Sequence, residues 1–115
     1  MARQVRWGEP AREDLFQAAA YIARESVHYA DALLEAASDA GRSLAFFPER
    51  GRRVIQIASA QVREIYVQSY RLIYEVQEES VDVLAFVHAA RDLAAWWERE
   101  QTLRKDDSAE PDEGG

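Results

Sequence analysis

The side chains best suited to chemistry in this chain are arginines, and one of them sits inside a strand-like run. In Tyr70-Arg71-Leu72-Ile73-Tyr74, strand alternation puts Leu72 and Tyr74 on one face and Arg71 on the other. A permanently charged group held by a strand could grip an anion, or it could pair with Glu64 or Glu75 across the sheet as a surface ion pair. Arg50, Arg52 and Arg53 surround Gly51, either as a docking patch for an acidic partner or as a solvated turn whose glycine supplies a positive φ. His88 could move protons near neutral pH, although a lone histidine at a strand end also serves structure. Of the adjacent Trp96 and Trp97, one should face the core and the other could anchor a partner. There is no cysteine and there are two separated histidines, so neither a metal site nor a cofactor is expected.

These groups need elements to hold them. Gln4 to Trp7 reads as a short strand closed by Gly8. Pro10 suits the first helical position, with Glu13 and Asp14 placed to favour the helix dipole. Leu15, Ala18, Ala19 and Ile22 share one helical face, and after a break near Ser26 to Tyr29 the pattern returns as Ala30, Leu33, Leu34, Ala37, Gly41 and Leu44. A helical hairpin is predicted, ending before Pro48.

From Arg53 to His88 the composition shifts to Val, Ile, Tyr and Phe, which favours strands near Arg53–Ile57, Val62–Val67, Tyr70–Val76 and Val81–Val87. Short connections suggest an antiparallel meander. A last helix from about Arg91 to Leu103 completes a β-α-α-β-β-β-β-α order. The expected fold is α+β: a helical hairpin on one face of a twisted antiparallel sheet, the other face partly open, with a C-terminal helix.

At 115 residues and 48% hydrophobic content, the chain suits one modest core, taken as a single domain over 1–103. Residues 104–115 read as an acidic, disordered tail. Removing that tail's two basic and five acidic residues from totals of 14 and 21 leaves 12 against 16, a body charge of −4. An acidic body argues against sequence-independent nucleic-acid binding, and no direct sequence-specific DNA binding is expected. With no basic leader and no apolar run near the roughly 20 residues that span a bilayer, a soluble cytoplasmic protein without membrane association is the expectation.

Three segments in order carry a family resemblance: Phe47-Pro48-Glu49-Arg50-Gly51-Arg52, Val62-Arg63-Glu64-Ile65-Tyr66-Val67 through Tyr70-Arg71-Leu72-Ile73-Tyr74, and Val87-His88-Ala89-Ala90-Arg91-Asp92-Leu93. With Trp7, Ala11 and Leu15, the chain over about residues 3–93 resembles the RelE/ParE toxin superfamily of type II toxin-antitoxin modules, and its ParE-like branch best. The resemblance implies a growth inhibitor neutralised by a cognate, ParD-like antitoxin, with DNA gyrase as the candidate target through protein-protein contact. It implies target-binding or toxicity roles for Arg63, Arg71, His88, Arg91 and Trp97. It makes Tyr21 and Leu33 of the hairpin, with Arg50, Arg52 and Arg53, the candidate antitoxin contacts.

The competing implication is a ribosome-dependent messenger-RNA endonuclease like the RelE branch, and a third is an inactive antitoxin-binding relative. Metal-free RNA cleavage must activate a 2'-hydroxyl, stabilise the phosphorane and protonate the leaving oxygen. Arg71 and Arg91 match the branch's arginines. Its lysine positions hold Val62 and Glu64, and its tyrosine position falls near Trp97. No catalytic residues are therefore assigned, although Glu64 with His88 remains an alternative acid-base pair.

Overall fold

A computed structural model describes the backbone of residues 2–109 and the side chains of residues 2–103. Strand β1 (Gln4–Trp7) leads through Gly8 into helix α1 (Glu9–Ala23), with Pro10 in its first turn. Helix α2 (Val27–Ser43) begins at Ser26, whose hydroxyl accepts the Tyr29 N–H at 3.1 Å and so satisfies one orphan donor of the first turn. The hairpin is as predicted. Beyond Pro48 come β2 (Arg52–Arg53), β3 (Val62–Val67), β4 (Tyr70–Val76), β5 (Ser80–His88) and helix α3 (Leu93–Ala109).

The strands form one sheet in the order β1-β5-β4-β3-β2. The consecutive strands β2 to β5 are antiparallel, whereas β1 lies parallel to β5, pairing Gln4 with Ser80 and Trp7 with Val83. The sheet is therefore mixed, because the α1–α2 hairpin carries the chain across before it returns to the sheet. β2 is also shorter than expected: Val54 and Ile57 leave the ladder and turn inward, at 1% and 2% exposure.

Two apolar clusters flank the sheet. The first packs Ala11, Leu15, Ala18, Leu33, Ala37 and Leu44 of the hairpin region against Ile65, Val67, Leu72, Tyr74, Val81, Val83 and Phe86. Leu72 and Tyr74 thus meet the helices, as alternation predicts. The second cluster joins Val62, Ile73, Ala85 and Val87 on the opposite face to Val54, Ile57, Leu93 and Trp96.

That face is consequently covered where a partly open surface was expected. Leu93 and Trp96, one helical turn apart, dock the start of α3 onto it. α3 also begins two residues later than predicted and runs past Leu103 to Ala109, so the boundary at 104 falls within the helix. The rest of the expected tail, 110–115, lies outside the described residues.

Burial also relocates Leu33. It is fully enclosed in the hairpin core, so its side chain presents no surface to a partner. Among the described residues no helix is long and apolar enough to cross a membrane.

Candidate functional site

Register assembles the charged groups. Pairing of Tyr66 with Arg71 and of Glu64 with Ile73 sets the Glu64 and Arg71 side chains diagonally on one face. Arg52, opposite Glu64 in β2, comes to the same face from the sheet edge.

Glu64 is the hub of this group. Its Oε1 accepts from Arg71 Nη1 at 3.1 Å and its Oε2 accepts from Arg52 Nε at 3.1 Å. The Arg52 Nη2 donates to the Tyr66 hydroxyl at 3.2 Å, with the guanidinium 5.3 Å from the ring centre. The hydrogen bond to Glu64 and its charge raise the Arg52 pKa above the usual arginine value.

Arg71 does not lie free. Only 7% of the residue is exposed, and Nη2 donates to the Ala89 carbonyl and to the Arg91 carbonyl at 3.1 Å. Among the described residues its Nε has no hydrogen-bond partner. The expected pairing with Glu64 occurs, but in the interior, because α3 and the Val54–Ile57 segment cover this face. Arg71 therefore ties β4 to the turn that launches α3, and a buried guanidinium committed in this way has little left to offer an external anion.

The other residues singled out from sequence fall into two groups. Around the turn after β5, His88 is exposed, its Nδ1 accepts the Ala90 N–H at 3.2 Å, and its ring meets Tyr70 edge-on at 5.6 Å. Arg91 is exposed beside it, and its charge acts on Asp14 of α1. Burial pushes the Asp14 carboxyl up, opposed by the Phe86 N–H that it accepts at 3.2 Å and by Arg91. Trp96 fills the second core; Trp97, half-buried, packs against that core's edge.

Around Gly51 the arginines split between faces. Arg63, on the hairpin side, donates from Nη1 to the Gly51 carbonyl at 2.7 Å, and Arg53 pairs opposite it. Arg50 donates to the Ser43 hydroxyl at 2.7 Å. The Gly51 N–H donates to the Tyr74 hydroxyl at 2.9 Å, and burial pushes the Tyr74 pKa up. No described glycine has a positive φ. Gly51 is required for a different reason: a Cβ there would stand 2.5 Å from the Tyr74 hydroxyl and 2.6 Å from the Glu64 carbonyl oxygen. Tyr21, at the far end of the hairpin, is exposed, with Arg24 5.5 Å from its ring centre.

Sequence reasoning missed Glu64 as a hub and Tyr74 as the acceptor for Gly51. The apolar companions of Arg71 on its face, Val62, Ile73 and Val87, signalled that this face would be covered.

The family model for the ParE toxin of the type II toxin-antitoxin system parDE matches residues 5–93, from β1 to the first residue of α3. The chain belongs to this family. No curated protein sequence matches it. Among solved structures, the chromosomal ParDE toxin-antitoxin system of P. aeruginosa superposes with a TM-score of 0.62 at 13% identity, covering 76% of this chain and 96% of that one. The RelBE2 toxin-antitoxin complex of Mycobacterium tuberculosis superposes at 0.53 with 23% identity, covering 76% and 99%.

At such identities both likenesses show the fold alone, and that fold is shared by ParE and RelE relatives. The family model makes the chain a ParE-type toxin of a type II toxin-antitoxin system. Of the two positions that the sequence resemblance matched to ribonuclease lysines, Val62 is enclosed and Glu64 has both carboxylate oxygens engaged by arginines. Among the described residues no group of three or more His, Asp or Glu is placed to hold a metal ion.

Proposed function

We propose that this toxin inhibits growth by binding its target without catalytic turnover, with cytoplasmic DNA gyrase as the target and a ParD-like antitoxin as the neutralising partner. The mutual neutralisation of Glu64 and Arg71 inside the sheet-α3 interface carries the reading. A metal-free ribonuclease needs an acid-base pair and cations that reach the scissile phosphate. Here the most central carboxylate and guanidinium face each other, only 4% and 8% of their side chains reaching solvent.

The surface offered to a target is instead the turn after β5 and the exposed side of α3. His88, Arg91 and Trp97 supply contact there, and Arg71 acts from beneath by holding the Ala89 and Arg91 carbonyls. Tyr21 and the arginines Arg50, Arg52 and Arg53 are the antitoxin-facing groups. Arg63 serves them by fixing the Gly51 turn.

Induction without antitoxin, followed by timed incorporation of labelled thymidine and methionine, tests the proposal. DNA synthesis is expected to stop and a DNA-damage response to rise before translation falls. Purified protein should impair gyrase supercoiling and leave messenger RNA intact on programmed ribosomes. Prompt messenger cleavage on those ribosomes, lost in Arg91→Ala, would establish the endonuclease reading in its place. Antitoxin binding without any growth effect would identify an inactive relative.

A further inference from the structure

The turn after α2 holds two phenylalanines where water would be expected to exclude them. Leu44 is fully enclosed, but Phe46 and Phe47 remain 69% and 65% exposed. The cause is local: the Phe46 and Phe47 N–H groups both fold back onto the Ser43 carbonyl, at 3.2 and 3.0 Å, and this turn directs both rings outward. Single exposed apolar residues need no explanation, but an adjacent aromatic pair lining a concavity does. With Pro48 they line a groove of about 740 Å³, edged by Arg3, Arg50 and Glu49.

The rim carries two guanidiniums against the one carboxylate of Glu49, and both guanidiniums are held in place. Arg50 donates to the Ser43 hydroxyl at 2.7 Å, and Arg3 donates from Nε to the Gln77 carbonyl at 3.0 Å. Neither guanidinium forms an ion pair among the described residues. In a chain of net charge −7, two guanidiniums outside any ion pair, against the single carboxylate of Glu49, leave this rim net positive, and an aromatic groove edged in this way favours an apolar side chain flanked by carboxylates.

We infer that this groove at the end of α2 seats an apolar residue of the antitoxin's neutralising segment, whose neighbouring carboxylates pair with Arg3 and Arg50. The inference rests on the antitoxin reading above and adds where the anchor sits and which chemistry it has.

Calorimetric titration of the full-length protein with its purified cognate antitoxin tests it. Phe46→Ala with Phe47→Ala should weaken binding by roughly 30-fold, the size of a buried aromatic anchor's loss. Arg3→Glu with Arg50→Glu should also weaken binding and reduce its dependence on salt. Circular dichroism and melting temperature near wild type confirm folding in each case, as these side chains are largely outside the core. Ile55→Ser removes a side chain 91% exposed outside the groove and should leave the affinity unchanged.

Wild-type affinity in the double-phenylalanine variant would overturn the inference while leaving the antitoxin reading intact. Failure of the unmodified protein to bind antitoxin would overturn both. Concentration-dependent self-association that disappears in the phenylalanine variant, with antitoxin affinity unchanged, would assign the groove to a second copy and also overturn the inference.

Discussion

Arg71 Nη1 lies 3.1 Å from Glu64 Oε1, with 8% and 4% of the two side chains exposed. Two charges removed from water depend on each other: removing one partner leaves an uncompensated buried ion. Arg71 also supplies donors to two carbonyls at the start of the α3 turn.

Arg71→Ala is therefore expected to lower stability by about 3–5 kcal/mol in urea titration, in contrast to the tolerance an open-face arginine would show. Arg71→Met combined with Glu64→Leu should recover most of that loss, since an apolar pair of similar volume removes both desolvated charges. A wild-type midpoint for Arg71→Ala would refute the buried pair. Loss of toxicity in this variant must be read against its folded fraction.

Gly51→Ala should cost about 1–3 kcal/mol, because the added methyl collides with the Tyr74 hydroxyl and with the backbone oxygen of Glu64. Tyr74→Phe removes one obstacle but leaves the Gly51 N–H without its acceptor, at a cost of about 1–3 kcal/mol of its own. The double variant should remain well below wild type, since the Glu64 oxygen is still in the way. Thermal melts of the three variants check this, and full rescue by Tyr74→Phe would show that the hydroxyl is the sole obstacle.

Asp14 predicts a pH dependence. Burial raises its folded pKa above the ordinary carboxylate value, so the native state holds this proton more tightly than the unfolded state. Its contribution is fully present below the unfolded pKa and is lost as pH rises through the raised folded value. Asp14→Asn keeps an oxygen to accept the Phe86 N–H and removes the buried charge. It should equal or exceed wild type at pH 7, with the difference shrinking below about pH 4, the ordinary carboxylate range. A variant that loses stability only at neutral pH would mean that the charge attraction to Arg91 outweighs burial.

The two tryptophans should separate stability from recognition. Trp96 is 6% exposed within the second cluster, and its change to Ala should cost about 3–5 kcal/mol. Trp97, half-buried at the cluster's edge, should cost less in melting temperature when changed to Ala while reducing growth inhibition more per folded molecule. Equal destabilisation by both would place Trp97 in the core as well.

Hydrophobic period and turn chemistry made the elements legible. The 3.6-residue spacing in α1 and α2, Pro48 after the hairpin, and alternation in Tyr70–Val76 act over a few residues each, so a linear reading reaches them. The boundaries these signals predict lie within a few residues of the observed ones, except in β2 and α3. There the outcome depended on what lies opposite in space: Val54 and Ile57 leave the ladder to fill the second core, and α3 starts where Leu93 can dock.

The sequence by itself determined the α+β class, the helical hairpin, the antiparallel core of the sheet and membership of the ParE/RelE family, because each is written in local periodicity or in short motifs in order. Only the tertiary structure decided that β1 joins the sheet in parallel, that the second face is covered, and that Glu64 neutralises Arg71 there. A strand's alternation says which side chains share a face. Whether that face meets water depends on distant residues such as Trp96, and burial, acting through dielectric and competing hydrogen bonds, makes the same arginine an anion grip or an internal tie.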